Sequence, residues 1–292
     1  MEIKKISVIG AGLMGSGISQ VCAQAGYQVS MQDVEQQFLD NAMKSIEWSV
    51  GKFVEKGRVK ESKETVLSRV TLTTKIDEVK EADFVVEAVP EVEELKKKIF
   101  LELDGLCRPE VILATNTSAI PITKIASVTK HPERIVGTHF FSPVPMMMVV
   151  EVVKGMRTSE ETMEITRQWV RSIGKEYINV NKDIAGFVLN RINIPSTIEA
   201  IRLVEAGVAS PEEIDKGMRL AFGRAMGPFE TGDMTGIDIG CNAYFNIYEE
   251  TKDPKFLPPA LLQRMVQAGL YGRKAGKGWY EYNTDGTKKE RK

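Results

Sequence analysis

Cysteine, histidine and surplus charge are all scarce in this chain of 292 residues. Its three cysteines, Cys22, Cys107 and Cys241, form no C-x-x-C pair. No disulfide framework and no metal site are therefore expected, and the thiols read as reduced in a cytoplasmic setting. Only two histidines are present, His131 and His139, which narrows any search for an acid–base catalyst to two positions. Lys and Arg (39) nearly cancel Asp and Glu (40), for a net charge of -1. That balance offers no basic field for nucleic acid. No apolar run reaches the ~18 residues, free of charges and breakers, that a membrane span requires.

Against these absences, 42% of the residues are hydrophobic, enough to build one large or two ordinary domains. Near the N-terminus a short apolar run, Ile6 to Ile9, breaks into Gly10, Gly12 and Gly15. Lys4 and Lys5 before it and small residues after it imitate a signal peptide, but the glycines and Ser16-Gly17 interrupt the compact apolar segment such a peptide needs. After the glycines, Met14, Ile18, Val21, Cys22 and Ala25 fall on one helical face, which Gly26 closes. "YQVSMQD" then reads as a second strand ending in Asp33. A G-x-G-x-x-G turn between strand and helix is the context that gives this weak motif meaning. Gly10 allows the tight turn, Gly12 the close approach of a pyrophosphate, and Gly15 the packing of helix on strand. The free N–H groups and positive dipole of the helix N-terminus favour the phosphates. Asp33 is placed to accept hydrogen bonds from an adenosine ribose and to repel a 2′-phosphate, so NAD is the expected cofactor. Leu13 and Met14 lie within the same turn and belong to the expected cradle.

Residues 35 to 70 read as an inserted antiparallel helix pair. Strand–helix alternation then resumes through "ADFVVEAV", "VILATN", "RIVGTHFF", "VVEVV" and "EYINV". From Gly186 the strands stop and helical patterns follow, with Ser210 and Glu213 framing a capping box. The expected architecture is α/β: a Rossmann-type dinucleotide-binding domain over 1–185, then an all-helical domain over 186–292.

His131 sits in the polar loop "KHPER" and reads as a solvated surface residue. His139 lies near the C-terminal end of a β-branched strand, the end at which ligands bind open α/β sheets. It is either a satisfied core histidine or a general base. Glu151 interrupts "VVEVV", where a lone carboxylate is costly to bury without a partner. An imidazole that it orients and stabilises in the protonated form meets both needs. Asn116, Thr117 and Ser118 follow another strand at the same end and otherwise read as turn residues.

Together these motifs resemble the L-3-hydroxyacyl-CoA dehydrogenase family, including bacterial 3-hydroxybutyryl-CoA dehydrogenases. The likeness runs from "VIGAGLMGSGI" through "ATNTS", "GTHFFSPVP", "VVEVV" and "GFVLNRI" to "GRKAGKGWYEY". It implies that His139 is the catalytic base and Glu151 its orienting partner. It further implies that Ser118 and Asn190 hold the C3 oxygen or the thioester end of the substrate. Glu91, Lys96, Ser118, Ser142 and, less directly, Lys274 are implied on the cofactor side. Ser49 and Lys56 match positions that contact CoA, although their residue types alone suggest an exposed helical face. A homodimer through the helical domain is also implied. Ser142 stands where many relatives carry asparagine, Met148 where they often carry lysine, and Ala185 where proline is common. The expected reaction is the NAD-dependent interconversion of (S)-3-hydroxyacyl-CoA and 3-oxoacyl-CoA, most readily with short chains. The alternatives are a dehydrogenase of a free hydroxy acid and a non-catalytic NAD-binding protein.

Overall fold

The computed structural model describes residues 2–289, which form two compact units divided between Phe187 and Val188. The first unit opens with β1 (Lys5–Ile9), α1 (Leu13–Gln24) and β2 (Gln28–Gln32). Next come the long α2 (Gln36–Glu55), the single-turn α3 (Lys63–Leu67) and β3 (Val70–Thr73). Alternation continues through β4 (Phe84–Glu87), α4 (Glu93–Leu106), β5 (Ile112–Thr115), α5 (Ile122–Ala126) and β6 (Ile135–Phe140). β7 (Val149–Val153), α6 (Glu160–Ser172) and β8 (Glu176–Val180) complete the unit.

The eight strands pair in the order β3-β2-β1-β4-β5-β6-β7-β8, and the chain reverses direction only between β6 and β7. Strand order 3-2-1-4-5-6 is the doubly wound arrangement, with its switch point between β1 and β4. Period-2 alternation assigns the two faces of this sheet. Phe84, Val86, Val136 and Val152 join α1, α2 and α6 in one core, where Phe84 stacks on Trp169 at 4.4 Å. Val85, Leu113, Ile135 and Val153 meet Phe100 and Leu103 of α4 and Ile122 of α5 in the other. Glu87, His139 and Glu151 alternate onto this second face, and that placement decides their chemistry.

The inserted segment differs from expectation. Its second helix is cut to five residues, and "VTLT" beyond it pairs in parallel with β2 as an edge strand. Four residues with alternating threonines carry too little apolar signal to mark a strand by pattern.

The second unit holds α7 (Leu189–Glu205), α8 (Pro211–Phe222), α9 (Pro228–Thr235), α10 (Ile237–Thr251) and α11 (Ala260–Gln267). Ser210 caps α8 by accepting from Glu213 N. The helix α9 escapes a periodicity reading because one glycine and two threonines dilute its eight residues. Buried Asp215 and Asp233 tie the C-terminal tail down. Asp215 accepts from Phe229 N, Glu230 N and the Tyr280 hydroxyl; Asp233 accepts from Trp279 N, Tyr280 N and the Tyr282 hydroxyl. All three cysteines are buried and free. Among the described residues no helix is long and apolar enough to cross a membrane.

Candidate active site

The glycine turn closes β1 onto β4. Gly10 takes φ +102°, and a Cβ there would come within 2.7 Å of Ala88 O. At Gly15 a Cβ would lie 1.8 Å from Gly10 O, so only glycine lets α1 start so close to the strand end. A Cβ on Gly12, by contrast, would meet nothing within 4 Å. The one glycine free of intramolecular crowding is thus the one at which a pyrophosphate must approach, and the N–H groups of the first helical turn have no intrahelical acceptor. Leu13 is exposed and Met14 half-buried at this turn. Asp33, just past β2, accepts from Ala11 N at 2.6 Å and from Val34 N at 2.7 Å. Asp33 also lines a cavity of about 290 Å³ with Ile76, Val89, Leu95 and Ile99, whose apolar walls beside a carboxylate suit a purine ring next to a ribose. The residues present therefore fit a dinucleotide.

On the second face of the sheet, His139 and Glu151 are directly opposed across the antiparallel β6–β7 pair. His139 Nδ1 meets Glu151 Oε2 at 2.5 Å, with the histidine side chain 7% and the glutamate side chain 0% exposed. The Phe141 and Phe187 rings flank the imidazole at 4.5 and 5.6 Å. Phe187 holds its position with φ 46°, a left-handed conformation that costs a non-glycine residue about 1 kcal/mol. Because Glu151 occupies Nδ1, Nε2 is the ring nitrogen left to exchange a proton.

A second buried carboxylate, Glu87, was not singled out in the sequence. Its signal was the one that marked Glu151, a lone acid inside an apolar strand, here "FVVEAV". Its Oε1 lies 2.6 Å from Lys96 Nζ, and its Oε2 accepts from Thr115 Oγ1 at 2.6 Å. Lys96 is 1% exposed and also reaches Glu91 Oε2 at 3.4 Å. Glu91 Oε1 in turn accepts from the Ser118 and Ala119 N–H groups and the Thr117 and Ser118 hydroxyls. Burial opposes the Glu91 charge, but Lys96, the Thr117 hydroxyl and the two N–H groups more than offset it and hold the carboxyl below its usual range. Burial likewise opposes the Lys96 charge, yet Glu87 and Glu91 hold its ammonium above the ordinary lysine value. The turn carrying Ser118 is thereby held from behind by charges. Asn116 Oδ1 accepts from Phe140 N at 2.9 Å and joins that turn to the strand of His139.

The other expected residues make none of the contacts described for these clusters. Ser142 is half-buried in the loop after β6, ahead of Pro143. Ser49 is half-buried on α2, and Lys56 is exposed at its C-cap. Lys52, one turn before Lys56 on α2, pairs with Glu55 at 2.8 Å. In the second unit, Asn190 lines a cavity of about 250 Å³ with Asn193, Thr197 and Thr231. Lys274 pairs with Asp238 at 2.7 Å. Among the described residues no group of three or more His, Cys, Asp or Glu side chains could hold a metal.

Residues 5–184 match the family model of the 3-hydroxyacyl-CoA dehydrogenase NAD-binding domain, and 186–282 that of its C-terminal domain. The chain belongs to the 3-hydroxyacyl-CoA dehydrogenase family. A probable 3-hydroxybutyryl-CoA dehydrogenase of Deinococcus radiodurans is 45% identical over 279 residues, covering 95% of this chain and 100% of its own. The 3-hydroxybutyryl-CoA dehydrogenase of Clostridioides difficile is 42% identical, covering 96% and 99%. Among solved structures, FadB2 of Mycobacterium tuberculosis superposes with a TM-score of 0.93 at 38% identity, covering 97% and 100% of the two chains. The (S)-3-hydroxybutyryl-CoA dehydrogenase PaaH1 of Ralstonia eutropha gives 0.89 at 39%, with the same coverage. This dehydrogenase is accordingly an NAD-dependent oxidoreductase.

Proposed function

We propose that the dehydrogenase interconverts (S)-3-hydroxybutyryl-CoA and acetoacetyl-CoA, with His139 as its acid–base catalyst. The observation that carries this reading is the buried His139–Glu151 pair at the reaction end of the sheet. When bound, NAD supplies the hydride acceptor, and the protein must supply a place for the hydroxyl proton. His139 Nε2 takes that proton, and Glu151 stabilises the imidazolium that results. In the reducing direction the same nitrogen returns the proton to the oxygen. Ser118, fixed by Glu91, and Asn190 hold the reacting oxygen or the thioester.

Gly10, Gly12, Leu13, Met14, Gly15 and Asp33 hold the dinucleotide, with Ser142 at its nicotinamide end. Glu91 and Lys96 serve the cofactor side by fixing the 116–119 turn, and Lys274 has a lesser role there. Ser49 and Lys56 contact CoA. The exposed Ile192, Val208, Leu220 and Phe222 of the second unit supply an apolar surface suited to a homodimer. Buried, unpaired thiols suit a reducing compartment, and we place the enzyme in the cytoplasm.

Following NADH loss with acetoacetyl-CoA beside free acetoacetate tests the reading. Rapid turnover of the thioester alone is expected. Equal turnover of the free acid would favour a free hydroxy-acid dehydrogenase.

A further inference from the structure

The lysine at the foot of β8 has no part in the chemistry above. Lys175 is 5% exposed, and no carboxylate lies within ion-pair distance of it among the described residues. Its ammonium donates instead to two backbone carbonyls, Val144 O and Met147 O, each at 2.7 Å. Both belong to the irregular loop 141–148 between β6 and β7. A charge buried without a counter-charge is expensive. Burial indeed holds this ammonium below the ordinary lysine value, while burial pushes the neighbouring Cys22 thiol far up, so it stays neutral. A methionine would pack there at less cost unless the two hydrogen bonds matter.

They matter because of where the loop lies. It leaves β6 directly after His139 and begins with Phe141, whose ring lies 4.5 Å from the imidazole. Ser142 follows. Val144 is buried against α1, where a Cβ on Gly17 would come within 2.8 Å of Val144 Cβ. The loop thus spans from the strand of the catalytic histidine to the helix of the glycine turn. Its own bonds, Met146 N and Met147 N to Pro143 O, leave the inward carbonyls of Val144 and Met147 to be met from outside. Only a long apolar stem ending in several donors reaches both from the strand edge. Glu176 N adds a bond to Met148 O at 2.8 Å.

We propose that Lys175 is a positioning residue for the dehydrogenase reaction, fixing loop 141–148 so that Phe141 and Ser142 are held beside the imidazole and the nicotinamide end. The proposal rests on the dehydrogenase reading, whose own failure would show as no NADH consumption by the native enzyme. Lys175→Met keeps the stem and removes the donors. Its kcat for acetoacetyl-CoA, per folded molecule as counted by circular dichroism, is expected to fall roughly 10–100-fold, the cost of a misplaced reacting group. Its Kd for ADP-ribose, which lacks the nicotinamide, is expected to stay within about twofold. Native kcat per folded molecule would overturn the proposal. An equal loss of ADP-ribose binding would also overturn it, by showing general damage to the domain. Should Lys175→Met not fold, Lys175→Gln carries the test: its shorter amide reaches one carbonyl, a several-fold loss is expected, and native turnover again overturns the idea.

Discussion

Both units bury carboxylates, but they neutralise them differently. In the first unit Glu87, Asp104 and Glu151 each face a basic side chain: Lys96 at 2.6 Å, Arg134 at 2.8 Å and His139 at 2.5 Å. In the second, Asp215 and Asp233 face tyrosine hydroxyls and backbone N–H groups, with no ion pair to either among the described residues. Neutral donors hold the second pair in place without matching its charge, so burial wins and raises both carboxyls above their usual values. Where a cation is present, charge itself is the point. His139 differs from Lys96 and Arg134 in its residue type, since an imidazole can serve as an acid–base group, and under the proposed reading that sets a catalytic pair apart from a structural one.

The largest test of this contrast is at the pair that changes charge. His139→Ala is expected to lower kcat with acetoacetyl-CoA by roughly 10²–10⁴. Glu151→Gln should cause a substantial loss as well. The double variant should lose far less than the product of the single losses, because the two act as one unit. Near-native turnover in folded His139→Ala would end the assignment.

Next in size is the pair whose charge is fixed. Lys96→Met should destabilise the fold by about 3–5 kcal/mol, since it strands buried Glu87 without a cation. Adding Glu87→Gln should recover part of that loss. Denaturant melts give both values, and additive losses would show that the two charges do not depend on each other.

A third test sets one carboxylate of each unit against pH. Burial opposes the Asp104 charge, but Arg134 and Lys130 N outweigh it and hold the carboxyl below 3.8. A lowered folded value means stability present above 3.8 and lost as pH falls through the folded value. The deficit of Asp104→Asn should therefore shrink in acid. Burial raises Asp215 above 3.8, so the native protein gains stability as pH falls from that raised value to 3.8, and the deficit of Asp215→Asn should grow. Melts must show the Asp104→Asn deficit shrinking as pH falls below 3.8 and the Asp215→Asn deficit growing as pH falls towards 3.8 from above; slopes of the same sign would refute the distinction.

The smallest effect is expected at Lys56. Lys56→Ala should raise KM for acetoacetyl-CoA several-fold at low salt and leave kcat unchanged, because a contact with the CoA moiety is alike in ground and transition states. An unchanged KM would make Lys56 an ordinary surface lysine.

The same contrast governs what could be read from the chain. The glycine turn was legible because its chemistry lies in consecutive residues, and Glu151 because an acid stands out among four β-branched neighbours. The pairing of His139 with Glu151 needed the antiparallel register, which spacing alone suggests but does not fix. Glu87 carried the same mark and passed unnoticed, because its partner Lys96 sits on a helix among other lysines and glutamates that conceal it. Edge strand β3 and helix α9 were missed for a different reason: tertiary pairing and packing, not local preference, make them regular.

The three cysteines have a practical consequence. Burial raises the thiol of each, to about 11 for Cys107 and upward from the ordinary value for Cys22 and Cys241. Near neutral pH none offers an accessible thiolate, the species that alkylating and disulfide reagents attack. A single cysteine introduced on the exposed face of α2 would then be the one reactive sulfur on the molecule. A fluorophore or spin label could be attached there without first removing any native residue.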